Sequence, residues 1–107
     1  MPNYGTLDDV FDNREISIDV KGWTNPTIEF GYKEINGILY LHWKIKNTAH
    51  IFTVQAHQIN KMGATIEEHF KIALSTFRTD YLNWRKDGFK HKWQREYEYM
   101  FKKFITI

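Results

Sequence analysis

The chain has 107 residues, no cysteine, 17% aromatic residues and a formal net charge of +2. That length bounds it to one domain with one core. The aromatic content excludes a disordered tail, and the lack of cysteine excludes disulfide staples and cysteine-ligated zinc. No apolar run is long enough to span a bilayer and the first residues carry no signal-peptide pattern, so the expectation is a soluble, cytoplasmic protein.

The net charge is small, but its distribution is uneven. Residues 1–20 carry Asp8, Asp9, Asp12, Glu15 and Asp19 against Arg14. Residues 85–103 carry Arg85, Lys86, Lys90, Lys92, Arg95, Lys102 and Lys103 against Asp87, Glu96 and Glu98. One reading is a pair of solvated, mutually neutralising ends. The other is a basic patch for nucleic acid or an acidic partner.

In chain order, Thr6 to Asp12 has the pattern of a short helical turn, with Thr6 as N-cap and Asp9 three residues on. Residues 15–20 alternate: Ile16, Ile18 and Val20 face one way, Glu15, Ser17 and Asp19 the other, which predicts a half-buried strand. The segment from Lys21 to Pro26 contains Gly and Asn-Pro turn signals and ends it. Trp23 in this loop either folds back onto the edge of the core or stands out as an aromatic anchor for a partner, a residue type enriched at interface hot spots.

Residues 27–46 read as a β-hairpin. Asn36-Gly37 is the preferred pair for a two-residue type I′ turn, since both central residues need positive φ. That turn sets Ile35 opposite Ile38, Tyr32 opposite Leu41, Phe30 opposite Trp43 and Ile28 opposite Ile45. The other face then pairs Lys33 with Tyr40, Gly31 with His42 and Glu29 with Lys44. A one-residue slip mixes the two sets, so the register is strongly specified. A hairpin is marginal alone and needs more strands and a cover.

A tight loop at Thr48-Ala49 predicts a fourth strand over 51–59. It places Phe52 opposite Ile45, Val54 opposite Trp43 and Ala56 opposite Leu41, again on the apolar face. On the other face His42 then opposes Gln55, Tyr40 opposes His57, and His42 and His57 become diagonal neighbours. Asn60 to Gly63 breaks the pattern. Thr65 and Glu68 form a capping box. Ile66, Phe70, Ala73, Leu74, Phe77, Tyr81 and Trp84 recur at spacings of three and four, an amphipathic helix to Lys86 about 33 Å long. Asp87-Gly88 is a stop. A second stripe of Phe89, Trp93, Tyr97, Met100, Phe101 and Phe104 predicts a second helix over 89–104, folded back at Gly88. The alternative is one helix running through Gly88 at a cost of only ~1 kcal/mol relative to alanine; such a helix reaches beyond the sheet and invites dimerisation.

The motifs that carry familiar chemistry are missing from this sequence. It has no nucleotide-binding glycine loop and no paired histidines at helical spacing. His69 beside Glu67 and Glu68 does not make a metal site, because adjacent helical residues diverge. His42 and His57 without a third ligand or a carboxylate are a thin basis for a metal or acid–base pair. The expectation is therefore a non-enzyme with no cofactor and no metal.

The sequence thus predicts an α+β domain spanning 1–107: a four-stranded antiparallel meander followed by two amphipathic C-terminal helices packed on its apolar face. The leading functional expectation is a small binding protein acting by stoichiometric protein–protein contact, as a regulator or inhibitor. Short chains rich in Ile, Lys, Asn, Phe and Tyr associate with AT-rich genomes and so with a phage or mobile-element origin. The alternative is a nucleic-acid-binding protein using the basic last helix, the outer sheet face, or both. Candidate binding residues are Trp23, Lys33, Tyr40, His42, Lys44, His57, Lys90, Lys92, Trp93 and Arg95. A homodimer through the C-terminal helices is a further expectation, and an enzyme using His42 and His57 ranks last.

Overall fold

The computed structural model describes residues 14–106. The strands are β1 (Arg14–Ser17), β2 (Thr27–Ile35), β3 (Ile38–Ile45) and β4 (Phe52–Gln55); the helices are α1 (Ala56–Lys61), α2 (Ile66–Lys86) and α3 (Lys92–Phe101). The four strands form one antiparallel meander in the order β1-β2-β3-β4. The expected helical turn at Thr6 to Asp12 lies outside the described residues.

The central hairpin has the predicted register in full, from Ile28 opposite Ile45 to Ile35 opposite Ile38. But Ile35 and Ile38, an odd number of residues from Tyr32 and Leu41, fall on the outer face with Tyr40 and His42 rather than on the apolar one. Its turn residues Asn36 and Gly37 have φ of 52° and 80°, the left-handed pair that a type I′ turn requires. Ile28, Leu41, Trp43 and Ile45 are buried on the inner face. There Phe52 stacks on Trp43 with centroids 4.2 Å apart. Phe70 of α2 sits over both Phe30 (5.5 Å) and Trp43 (5.0 Å). Phe77 of α2 and Phe101 of α3 reach Phe52 at 6.0 and 6.4 Å. Aromatic pairs of this kind add ~0.5–1.5 kcal/mol each beyond area burial, so the helices are held to this one face by a continuous ring network.

Helix α2 starts where the sequence places it. Thr65 Oγ1 accepts from the Glu68 amide and the Glu68 carboxylate accepts from the Thr65 amide, both at 3.1 Å. It ends in a Schellman motif: the Phe89 amide donates to the Trp84 carbonyl and the Gly88 amide to Arg85, with Gly88 at φ 80°. That left-handed residue is what glycine supplies cheaply. The chain therefore turns back at Gly88, and the single long helix is not formed. Helix α3 begins at Lys92 rather than 89, because Phe89 itself adopts φ 51° and is buried against Tyr81.

Three further expectations are corrected. The first strand stops at Ser17, although Ile18 and Val20 enter the core as predicted. The fourth strand pairs two residues out of the expected register, with Phe52 opposite Trp43 and Val54 opposite Leu41. It also ends at Gln55, and residues 56–61 form α1, closed by its own Schellman motif with the Ala64 amide on Ile59 and the Gly63 amide on Asn60. A two-residue shift preserves which side chains face inward, so the apolar pattern is satisfied equally well by either register.

Trp23 is buried, not displayed. Its loop is clasped to the end of the described chain: Trp23 bridges Ile105, the Thr24 amide donates to Phe104, and the Thr106 amide donates to Gly22, both at 2.8 Å. Arg78 adds Nε and Nη2 hydrogen bonds to the Thr106 carbonyl at 3.2 and 2.9 Å.

Candidate binding surfaces

The outer sheet face does not assemble as the sequence predicts. His57 lies exposed on α1, so it is no neighbour of His42 across two strands; Thr53 opposes His42 and Gln55 opposes Tyr40. His42 is fully buried, with the Tyr40 ring edge-on at 6.3 Å. Burial, and secondarily the Lys33 ammonium, hold its imidazole below the usual histidine range, which favours the neutral ring. A ring enclosed in mid-sheet cannot stack on a base. A hollow of about 160 Å³ lies beside it, bounded by Ile35, Tyr40, His42 and Thr53.

The lysines of this face are partly committed. Lys44 lies 3.9 Å from Glu29, its cross-strand partner, and Lys46 lies 3.1 Å from Glu15. Glu15 and Glu29 face one another across β1 and β2, so two acids and two lysines form one alternating patch. Of the outer-face candidates, Lys33 and Tyr40 remain, half-buried.

Two other surfaces are better exposed. The first is apolar. At the hairpin end of the sheet, Ile38 and Leu39 are 43% and 47% exposed, and Met62, which caps α1, is 68% exposed. Two shallow grooves meet at Leu39. One, of about 350 Å³, is lined by Tyr32, Leu39, Ile59 and Ile66 among others. The other, of about 390 Å³, runs past Ile38, Ala56 and His57. Among the described residues, no Lys, Arg, Asp or Glu lines either groove. These residues were not among the sequence candidates. The available signal was Leu39: alternation puts it on the inner face, yet it lies past the stretch that the aromatic residues of α2 cover.

The second surface is the turn joining α2 to α3. Arg85, Lys86, Lys90, Lys92 and Arg95 are all exposed there, against Asp87. Trp93 is 48% exposed, edge-on to Trp84 at 5.0 Å and nearly parallel to the exposed His91 ring at 6.0 Å and 8°. The three ion pairs among the described residues involve Lys44, Lys46 and Lys71, so none of these cations is neutralised that way. Further along α3, Tyr99 is 89% exposed; it falls off the helix's apolar stripe, which was legible from its position. Lys90, Lys92, Trp93 and Arg95 thus come together, whereas Trp23, His42 and His57 join neither them nor each other.

Among the described residues no group of three or more His, Cys, Asp or Glu converges as a metal site, and no helix is long and apolar enough to cross a membrane. The fold is an α+β meander with a helical layer on one face. No protein-family model, curated protein or solved structure matches the chain significantly.

Proposed function

We propose that this is a non-enzymatic binding protein that acts by stoichiometric contact with a protein partner, as a regulator or inhibitor. The observation that carries the reading is the apolar surface around Leu39, 47% exposed where two grooves meet whose described lining residues include Tyr32, Ile59 and Ile66 and no Lys, Arg, Asp or Glu. Exposed apolar groups grouped in this way mark interaction sites. Phosphates gain nothing from such a surface, so its chemistry fits a protein that buries aliphatic or aromatic side chains against Leu39. The phage or mobile-element origin rests on composition alone.

The test is reconstitution with purified components. A partner captured by the full chain is purified and titrated against wild type and Leu39→Asp. Saturation at a fixed ratio, weakened at least tenfold by the substitution and unchanged by nuclease, supports the reading. Equal affinity for the variant, or loss of the complex on nuclease treatment, overturns it. Self-association of the wild type that Leu39→Asp abolishes also overturns it, by assigning the surface to a second copy.

A further inference from the structure

We propose that the turn between α2 and α3 is a binding site for single-stranded nucleic acid, with Trp93 and His91 as the stacking platform and Lys90 and Lys92 as phosphate contacts. The site is remote in sequence from Leu39 and does not rest on the protein-binding reading.

Three features carry the inference. The first is charge: residues 85–95 hold five Lys or Arg against Asp87, every one exposed and none in an ion pair among the described residues. Such density attracts a polyanion. The second is ring geometry. The His91 and Trp93 planes lie within 8° of each other, and Trp93 keeps about half its surface in solvent. Parallel π-faces flanked by cations are what sequence-tolerant single-strand binders present. An anionic carboxylate is repelled by the negative face of an aromatic ring, which disfavours an acidic peptide.

The third feature is preorganisation. The Phe89 amide donates to Trp84 at 2.8 Å, and the Phe89 carbonyl accepts from Arg95 Nε at 3.0 Å. The His91 amide donates to the Gln94 side chain at 3.2 Å, and Gln94 is itself buried. The backbone carrying Lys90 to Trp93 is thus fixed from both sides, so little ordering is required on binding.

The test is fluorescence anisotropy of a labelled oligothymidine about 16 nucleotides long, the upper end of single-strand site sizes, titrated with the full chain, alongside the same length as duplex and a polyglutamate competitor. Neutralising about four phosphates gives a single-strand slope near −2.8, so going from about 50 to 200 mM salt weakens binding roughly 50-fold. Lys90→Gln with Lys92→Gln removes about half of that slope, leaving a roughly sevenfold effect. Trp93→Ala weakens binding about tenfold or more, and Trp93→Phe, which keeps a ring against Trp84, restores most of it. Circular dichroism confirms that each variant is folded. Absence of binding at the lower salt overturns the proposal. So does equal affinity for duplex, or displacement by polyglutamate together with indifference to Trp93→Ala, which assigns the turn to an acidic protein segment. Because Leu39→Asp leaves this titration unchanged, failure here is separable from failure of the protein-binding reading.

Discussion

The indole Nε1 of Trp23 donates a hydrogen bond to the main-chain carbonyl of Leu74, 3.0 Å away. One residue sits in the loop after the first strand, the other in the middle of α2, and both are buried. The bond satisfies the one polar atom that burying an indole leaves over, and it ties the β1–β2 connection to the helical layer. The ring also meets Phe77 at 6.2 Å and Phe101 at 6.4 Å.

Replacing Trp23 is accordingly a test of stability rather than of binding. Trp23→Ala should cost about 3–5 kcal/mol, the range for emptying a buried aromatic site. Trp23→Phe keeps most ring contacts, loses the Leu74 hydrogen bond, and should cost about 1–2 kcal/mol. Urea unfolding monitored by far-ultraviolet circular dichroism measures both. Near-wild-type midpoints for the alanine variant would show that the loop does not seal the core.

Gly22 makes a sharper case. It has φ 90°, and a Cβ there would overlap the Arg78 side chain. Gly22→Ala should therefore destabilise by about 1–3 kcal/mol through backbone strain and by pushing Arg78 off the Thr106 carbonyl. Pairing it with Arg78→Ala relieves the overlap, so the double substitution should cost less than the sum of the two. Additive costs would show that the side chain yields freely.

The pH dependence follows from His42, His50 and His69, all held below the usual histidine range by burial first of all. Their unfolded-state values lie near 6.5. Below that pH the unfolded chain takes up protons that the folded one refuses, so stability is full above about pH 6.5 and falls as the pH drops towards the folded values. Each histidine contributes a slope of at most ~1.4 kcal/mol per pH unit in that window. His50 is the informative one, because its ring lies edge-on to Phe52 at 4.6 Å and Tyr97 at 5.0 Å, between β4 and α3. Urea midpoints from pH 7.5 to 5 should fall less in His50→Gln than in wild type. Parallel curves would remove His50 from the account.

Substitutions at the apolar surface should behave oppositely to those at Trp23. Ile38→Thr and Leu39→Gln should shift stability by no more than about 1 kcal/mol, because both side chains already keep over 40% of their surface in solvent. A loss above about 2 kcal/mol would mean that they brace the fold and would weaken the case for a partner there.

The hairpin was legible because Asn36-Gly37 fixes a turn with one geometry, and every pair downstream follows from it. The next connection has no such signal. Asn47 takes φ 68° and the Thr48 hydroxyl donates to the Ile45 carbonyl at 2.6 Å, making a longer loop than Thr48-Ala49 suggests. A period of two in the sequence cannot distinguish registers two residues apart, so the inward faces were right and the partners wrong. Ala56 and Ile59, three apart, were the trace of α1, masked by a strand reading that needed only Ala56. His42 read as a surface residue because alternation reports which face a side chain takes, not how deeply it is enclosed. The stop at Gly88 was legible because its signals are local, whereas Lys90 and His91, read as helical, precede α3 because Phe89 takes a positive φ.

The clasp between Gly22–Thr24 and Phe104–Thr106 joins positions 82 residues apart. Loop closure over that span is entropically costly until the intervening sheet and helices have formed. The clasp is accordingly expected to close after the hairpin and α2, which are built from local pairings. In the folded state the same bonds act as a latch. Amide exchange at Thr24 and Thr106 should report opening of the latch at a lower free energy than exchange at Leu41 or Trp43, which must await loss of the whole sheet.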